Sequence, residues 1–320
     1  MRAYQVLSHD RQAALADLPI PSPEAGEIRV RIMACGLNFA DLLMQKGTYQ
    51  DTPELPFVAG MEVAGVVDAC GEGVEHLTAG TRIAVFGGQG GLAEYGCFDA
   101  ARAVPIPDEM PFEDAAAFLI AYGTSHVALD YRARMQPGEN LLVLGAAGGV
   151  GLTAVEIGKL MGANVIACAR GADKLAVAKA AGADHLIDAT TADIRAEVKA
   201  LGGADVVYDP VGGDQFKAAF RACRPEARIL PIGFASGEVP KIPANHLLVK
   251  NISVMGLYWG GYLAFKPTVI RDSLTTLFDW YSSGRLKPHI SHVLPLEQAS
   301  EAMELLRSRK STGKVVITIT

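Results

Sequence analysis

One stretch, LLVLGAAGGVGLTAVEIGKLMGANVIACARGADK from Leu141 to Lys174, constrains the fold more than any other part of the chain. An apolar run ends at Gly145, further glycines stand at 148, 149 and 151, a helical pattern follows, and a second apolar run ends at Ala169-Arg170. A glycine-rich loop between a strand and a helix, inside a strand–helix–strand unit, is the setting that a dinucleotide fingerprint requires. Gly145 lets the chain turn at the strand end. Gly148 and Gly149 remove Cβ atoms where a pyrophosphate must approach the backbone, and Gly151 lets the helix pack closely on the sheet. Ala147 and Val150 complete the loop, and the first N–H groups of the helix are placed to bind phosphate. A tight structural turn in some other α/β sheet would use the same glycines without the ligand.

The end of the second run bears on which dinucleotide is bound. An acid there would hydrogen-bond the adenosine ribose 2′-hydroxyl and select NAD. This chain has Ala169 followed by Arg170, with Lys174 one turn into the next helix. A guanidinium and an ammonium attract a 2′-phosphate that a carboxylate would repel. NADPH is therefore the expected cofactor.

The chain changes character near residue 112. Before it, segments such as IRVRIMACGL, VAGVVDAC and TRIAVFGGQGGLAEYGCF are punctuated by Pro and Gly and read as strands and turns. PFEDAAAFLIAYGTSHVALDYRARMQPG then reads as one helix, opened by Pro111, with Glu113 and Asp114 in its first turn, Arg132 and Arg134 near its end and Pro137-Gly138 as its stop. From 140 on, NLLVLG, NVIACA, HLID, ADVVYD, RILPIG and NISVMG read as strands, with helices between the first four. Continuous apolar strands joined by helices indicate a parallel sheet covered on both faces. Past 260, TVIRDSLTTLFDWYSSG and PLEQASEAMELLRSRKSTG read as helices, the second closed by Gly313, and KVVITI as a final strand.

Composition excludes more than it assigns. A net charge of −6 gives no argument for nucleic acid or an anionic membrane. The N-terminus MRAYQVLSHDRQAAL lacks an apolar signal core, and no unbroken apolar run is long enough to span a bilayer, so a cytoplasmic protein without membrane association is expected. Five widely spaced cysteines, at 35, 70, 97, 168 and 223, imply neither a disulfide framework nor a zinc knuckle. His126, His246, His289 and His292 read as solvated or structural, since none pairs with a plausible nucleophile.

The segments GLNFADLLMQKGTY (36–49), PFVAGMEVAGVV (56–67), AYGTSHVAL (121–129), GAAGGVG (145–151), VVYDPVGG (206–213) and KNISVMGLYWGGY (250–262) occur in this order. In them the chain resembles the medium-chain dehydrogenase/reductases, and within these the zinc-free quinone oxidoreductases related to zeta-crystallin. The resemblance implies an α/β fold with a GroES-like, β-rich catalytic domain over 1–121, completed by 259–320, and a Rossmann doubly wound parallel sheet over 122–258. It also implies a cleft between the two and a homodimer formed near NISVMG.

Two departures from the zinc-dependent branch bear on chemistry. Asn38 stands where that branch has a cysteine ligand, and Gly60-Met61-Glu62 stands in place of Gly-His-Glu. Asn and Met do not replace thiolate and imidazole around Zn²⁺, so no metal is expected. Without a Lewis acid, alcohol dehydrogenation is disfavoured, and hydride delivery to an already electrophilic acceptor fits better.

By the same resemblance Tyr122 and Thr124 lie on the nicotinamide side of the cofactor. Gly212 and Gly233-Phe234 lie beside it, Gly256 and Tyr258 lie where the chain recrosses to the first domain, and Arg309 aligns with an arginine that reaches the 2′-phosphate. The tyrosine that some relatives use near that phosphate is Ala189 here. Asn38, Asp41 and Tyr49 are the candidate catalytic residues: Asn38 to hydrogen-bond substrate or ribose, Asp41 for catalysis or to cap the following helix, Tyr49 as a proton donor. The expected activity is zinc-independent, NADPH-dependent reduction of a small-molecule quinone or enone. An enoyl- or acrylyl-thioester reductase and a crystallin-like NADPH-binding protein with little turnover are the alternatives.

Overall fold

In a computed structural model describing residues 1–319, the chain divides into two compact units. The first comprises Met1–Ile120 and the segment from Pro288 on; the second is Ala121–Lys287. The expected return to the first domain at 259 falls instead at 288. The reason is packing inside the second unit. The helix Pro267–Ser282 carries Ser273, whose hydroxyl lies 2.9 Å from Nδ1 of buried His126, and Trp280, edge-on to the same imidazole. Tyr262 meets Tyr131 edge to face with ring centroids 6.0 Å apart. The segment 259–287 is thereby anchored to the residues that precede the glycine loop.

The second unit holds six parallel strands: Asn140–Leu144, Asn164–Ala169, His185–Asp188, Ala204–Asp209, Cys223–Pro231 and Ser253–Val254. Numbered along the chain, their spatial order is 3-2-1-4-5-6, the doubly wound order in which a dinucleotide binds where the strand order reverses. Every residue of Asn140–Leu144 is buried, as a central strand covered on both faces requires. The next helix, Gly149–Leu160, buries Gly151, Leu152, Ala154, Val155 and Ile157, the spacing of a face turned to the sheet.

In the first unit a seven-stranded, mostly antiparallel sheet is built around Glu27–Leu37, which pairs with Glu62–Cys70, Tyr95–Asp99 and Lys314–Thr318. Burial alternates along the first part of that strand and becomes continuous from Ala34 to Leu37, where the helix Phe112–Ala116 covers it. There Gly36 is required, because a Cβ on it would fall on the Ala116 carbonyl oxygen. A separate three-stranded sheet joins Ala14–Asp17, Arg2–Val6 and Phe57–Val58.

Two sequence expectations are corrected. The single helix after Pro111 is three pieces: Phe112–Ala116, Leu119–His126 and a wider π turn over Val127–Arg132. The chain turns at Ala117, and the Ile120 N–H near the start of the second piece donates to Glu62 Oε2 at 2.9 Å, so a buried acid satisfies one of that helix's free donors. The C-terminal helix ends at Arg307, not at Gly313, because the residues beyond it turn back, with Arg309 at φ 56°. No described helix is long and apolar enough to cross a membrane.

Candidate functional site

The residues singled out by sequence fall into two groups, one in each unit. In the second unit the glycine loop follows the strand as expected. Gly145 adopts a left-handed φ of 59°. A Cβ on Gly151 would collide with the Gly145 carbonyl oxygen, so the helix N-terminus can lie this close to the strand end only with glycine there. Gly148 is the residue before the helix, at φ −81° and ψ 174°. Ala147 is buried, while Val150 is half-buried and its carbonyl accepts from Ser125 and Thr153. The result is a bare backbone cradle at the carboxyl end of the central strand, suited to a phosphate.

Arg170 is exposed at the end of the second strand and Lys174 lies in the first turn of the next helix, Ala172–Ala180. Asp188, an acid that the sequence reading passed over, stands in register with Ala169 on the neighbouring strand. Its Oδ1 accepts from Thr190 N at 2.9 Å, Thr190 Oγ1 at 2.7 Å and Gly171 N at 3.1 Å, and these bonds hold its pKa down. A charged carboxylate thus sits one strand away from the cations. Only the parallel register reveals it, because nineteen residues separate Asp188 from Ala169 in the chain.

At the end of the fourth strand Asp209 is fully buried, and its Oδ1 accepts the N–H groups of Val211 at 2.8 Å and Gly212 at 2.9 Å. This turn, also absent from the sequence reading, fixes Gly212 at φ 73°, where a Cβ would stand 2.6 Å from the Glu238 carbonyl oxygen. Desolvation raises the Asp209 pKa. Gly233 follows the fifth strand and Phe234 is exposed; Gly256 has open space around it, and Tyr258 is exposed. Thr124 is buried.

Tyr122 makes a hydrogen bond within its own unit. Its ring is buried, and its hydroxyl donates to Glu156 Oε2 at 2.6 Å, while Glu156 Oε1 accepts the Lys287 N–H at 2.7 Å. The hydroxyl is committed to the unit's own packing and is not presented to a ligand. Arg309 lies in the first unit, beyond the C-terminal helix.

The second group lies in the first unit. Asn38 precedes the helix Phe39–Gln45, and its backbone N–H donates to Asp41 Oδ2 at 2.8 Å, the reciprocal half of a capping box. Its side chain is fully engaged. Nδ2 donates to Glu62 Oε1 at 3.0 Å and to the Gly36 carbonyl at 3.3 Å, and Oδ1 accepts from Lys314 Nζ at 2.8 Å. The Lys314 ammonium also donates to Glu62 Oε1, and the two side chains are 4% and 1% exposed. Asn38 is therefore the hub of a buried ion pair, not a free donor for substrate or ribose as expected from its residue type. Lys314, the decisive partner, lies 276 residues away from Asn38, so no local pattern points to it.

Asp41 is 1% exposed, with Oδ1 buried and without a hydrogen-bond partner among the described residues. Burial pushes its pKa up to about 7 against the pull of the Asn38 and Gly60 backbone and the Lys314 charge. Tyr49 packs half-buried against the first unit's core, and burial raises its phenol to about 12, so it stays protonated at neutral pH.

The donors at the zinc-ligand positions of the zinc-dependent branch do not fit that metal. They are an amide already bonded on both atoms and the buried Met61 thioether. Among the described residues no group of three or more His, Cys, Asp or Glu is placed to hold a metal ion.

Residues 24–108 match the alcohol dehydrogenase GroES-like domain family and residues 149–277 the zinc-binding dehydrogenase family. The quinone oxidoreductase-like protein 2 homolog of Nematostella vectensis is 42% identical over 297 residues, spanning 91% of this chain and 81% of that protein. The chain belongs to the quinone oxidoreductase branch of the medium-chain dehydrogenase/reductase family. The quinone oxidoreductase of Thermus thermophilus, solved also as its complex with NADPH, superposes with a TM-score of 0.89 at 34% identity, covering 99% of this chain and 100% of that one. The Escherichia coli quinone oxidoreductase, solved with NADPH, gives 0.92 at 28% identity with the same coverage.

Two outcomes follow from the first unit's polar centre. Lys314→Met leaves the Glu62 charge buried without its cation and is expected to destabilise the protein by about 3–5 kcal/mol. Adding Glu62→Gln should recover most of that loss. Denaturant unfolding of the wild type and the three variants measures the cycle; equal, additive losses would mean that the two side chains do not interact. For Asp41, the folded pKa of about 7 lies above the ordinary carboxylate value of 3.8. The folded state therefore holds its proton more tightly than the unfolded state. This group's contribution to stability falls as pH rises between those two values and is level above them. Asp41→Asn should flatten that fall in unfolding free energy; a slope identical to wild type would show that Asp41 does not carry it.

Proposed function

We propose that the protein is a zinc-independent, NADPH-dependent reductase of quinones or other activated carbonyl or alkene acceptors. The observation that carries this reading is at the two zinc-ligand positions: Asn38 is bonded through both side-chain atoms to the Lys314–Glu62 ion pair, and the other position is the buried Met61 thioether. A chemistry built on polarising an alcohol at Zn²⁺ has no donors there. Reduction of an already electrophilic acceptor needs no such polarisation. Family membership and the relatives' complexes with NADPH support the cofactor, and the residues fit it: the Gly145–Gly151 cradle for the pyrophosphate, Arg170 and Lys174 for the 2′-phosphate.

When bound, NADPH supplies the hydride. The chain's own contribution is to hold the cofactor's phosphates at the loop and, at Tyr49, to keep a protonated phenol. Quinone reduction places the developing charge on oxygen, where solvent can protonate it. Alkene reduction leaves a carbanion that needs a positioned acid. The protonated Tyr49 keeps the enoyl-thioester reading in play.

One assay separates the readings: NADPH oxidation in the presence of chelator, with benzoquinone, phenanthrenequinone and crotonyl-CoA as acceptors. Chelator-resistant turnover of the quinones is expected, with Tyr49→Phe retaining it within about tenfold. Dominant crotonyl-CoA reduction that falls at least about a hundredfold in Tyr49→Phe would favour the thioester reading. Tight NADPH binding without turnover of any acceptor would favour a binding protein. Loss of activity in chelator would overturn zinc independence.

The cofactor choice is tested separately. Arg170→Ala with Lys174→Ala should weaken NADPH binding at least about tenfold and leave NADH binding nearly unchanged, since a charged hydrogen bond contributes roughly 1.5–3 kcal/mol when well formed. Fluorescence titration with both cofactors measures this, and equal weakening would show that these cations do not read the phosphate. We also infer a homodimer paired through the sheet edge at Ser253–Val254, which sedimentation can test.

A further inference from the structure

The second unit carries a cavity that the proposed reaction does not use. Its volume is about 650 Å³, and it is lined by Tyr131, Arg132, Arg134, Arg228, Asn251 and Ser253, together with Ala133, Glu226 and Met255. That volume lies in the range of small-molecule sites. Arg228 sits in register with Ser253 near the start of the sixth strand, whereas the Gly145–Gly151 cradle follows the carboxyl end of the first. The cavity is therefore at the opposite end of the sheet from the dinucleotide cradle.

Its chemistry is lopsided. Three guanidiniums line it against one carboxylate, Glu226. Arg228 is committed: it donates to the Ala133 carbonyl at 2.7 Å and pairs with Glu139. Arg132 and Arg134 form no ion pair among the described residues, and the Arg132 Nε is buried without a hydrogen-bond partner. The hydroxyl of Tyr131, which lines the cavity, accepts from the Lys266 ammonium at 2.9 Å.

The backbone is unusual at the same place. Of the four non-glycine residues with positive φ among those described, three line this cavity: Arg134 at 48°, Glu226 at 65° and Asn251 at 54°. Asn tolerates this conformation, but Arg and Glu rarely adopt it. Strained backbone held by its surroundings gathers at ligand sites more than elsewhere.

We propose that this cavity binds a small oligophosphate-bearing anion, held by Arg132 and Arg134 with Asn251 and Ser253 as further donors. Planar guanidiniums bind phosphate oxygens in pairs, and two unengaged ones in a single cavity match adjacent phosphoryl groups. The site is separate from the one proposed for NADPH.

The probe is sodium tripolyphosphate, titrated calorimetrically at fixed ionic strength into the full chain saturated with NADPH, which occupies the cradle and the cations at 170 and 174. Saturable binding of one equivalent is expected. It should weaken at least about tenfold in Arg132→Gln with Arg134→Gln and stay unchanged in Arg170→Ala with Lys174→Ala. Asn251→Asp, which places a carboxylate in the cavity without removing an arginine or touching the edge strand, should weaken it as well, and it stands as the second variant if the double one fails to fold. The proposal is overturned by absent saturable binding, by equal binding of sulfate and citrate, or by binding lost only in the Arg170 and Lys174 variant. It is also overturned if the wild type binds no anion and the Arg132 and Arg134 variant loses a dimer that the wild type forms, because a second copy would then cover the cavity. None of these outcomes depends on whether the protein reduces quinones.

Discussion

The first unit depends on one buried ion pair. Lys314 and Glu62, both almost fully inaccessible, lie 252 residues apart in sequence and close the sheet between the chain's beginning and its end. The carboxylate has no unsatisfied oxygen: Oε1 takes the Lys314 ammonium and the Asn38 amide, and Oε2 takes the Ile120 N–H. Such a pair repays its desolvation only when the remaining hydrogen bonds are made. Here they are made by the Ile120 N–H near a helix start and by Asn38, the residue just before a helix. The pair thereby fixes the turn at Ala117, the entry into the helix Phe39–Gln45 and the docking of the Lys314–Thr318 strand against Glu27–Leu37.

The same pair shapes what chemistry the unit can perform. Asn38, which stands where the zinc-dependent branch has a cysteine ligand, is bonded through both side-chain atoms to this pair. An ammonium of this kind neutralises a carboxylate but has no open coordination position at which to polarise an oxygen. Asp41, next to it and buried, is left holding a proton over part of the acidic range. The second unit solves a different problem, that of packing backbone segments against one another at the ends of its strands. It does so by omission: Gly151 has no Cβ where the Gly145 carbonyl lies, and Gly212 none where the Glu238 carbonyl lies.

Several features could be read from the chain without its structure. The alternation of apolar runs and helical stretches from 140 on marked all six strands of the parallel sheet, because a strand covered on both faces must be apolar at every position. The glycine spacing placed the cradle, since steric exclusion at a strand-to-helix junction acts within a few residues. Asn38 and Met61 differ by residue type alone from the cysteine and histidine of the zinc-dependent branch. The helix after Pro111 was misread as continuous, because what breaks it is a carboxylate 58 residues away.

What the sequence determined by itself is thus whatever local sterics and period can encode: the strand and helix pattern, the phosphate cradle, the cations at 170 and 174 and the loss of two zinc-ligand residue types. What only the tertiary structure decided is whatever depends on groups far apart in the chain meeting in one place. Lys314 comes to Asn38 through strand pairing, Asp188 comes beside Ala169 through parallel register, the segment 259–287 stays with the second unit through His126 and Tyr131, and three arginines converge on one cavity. Register and packing are collective properties, set by burial summed over the whole sheet, and no window of sequence contains them.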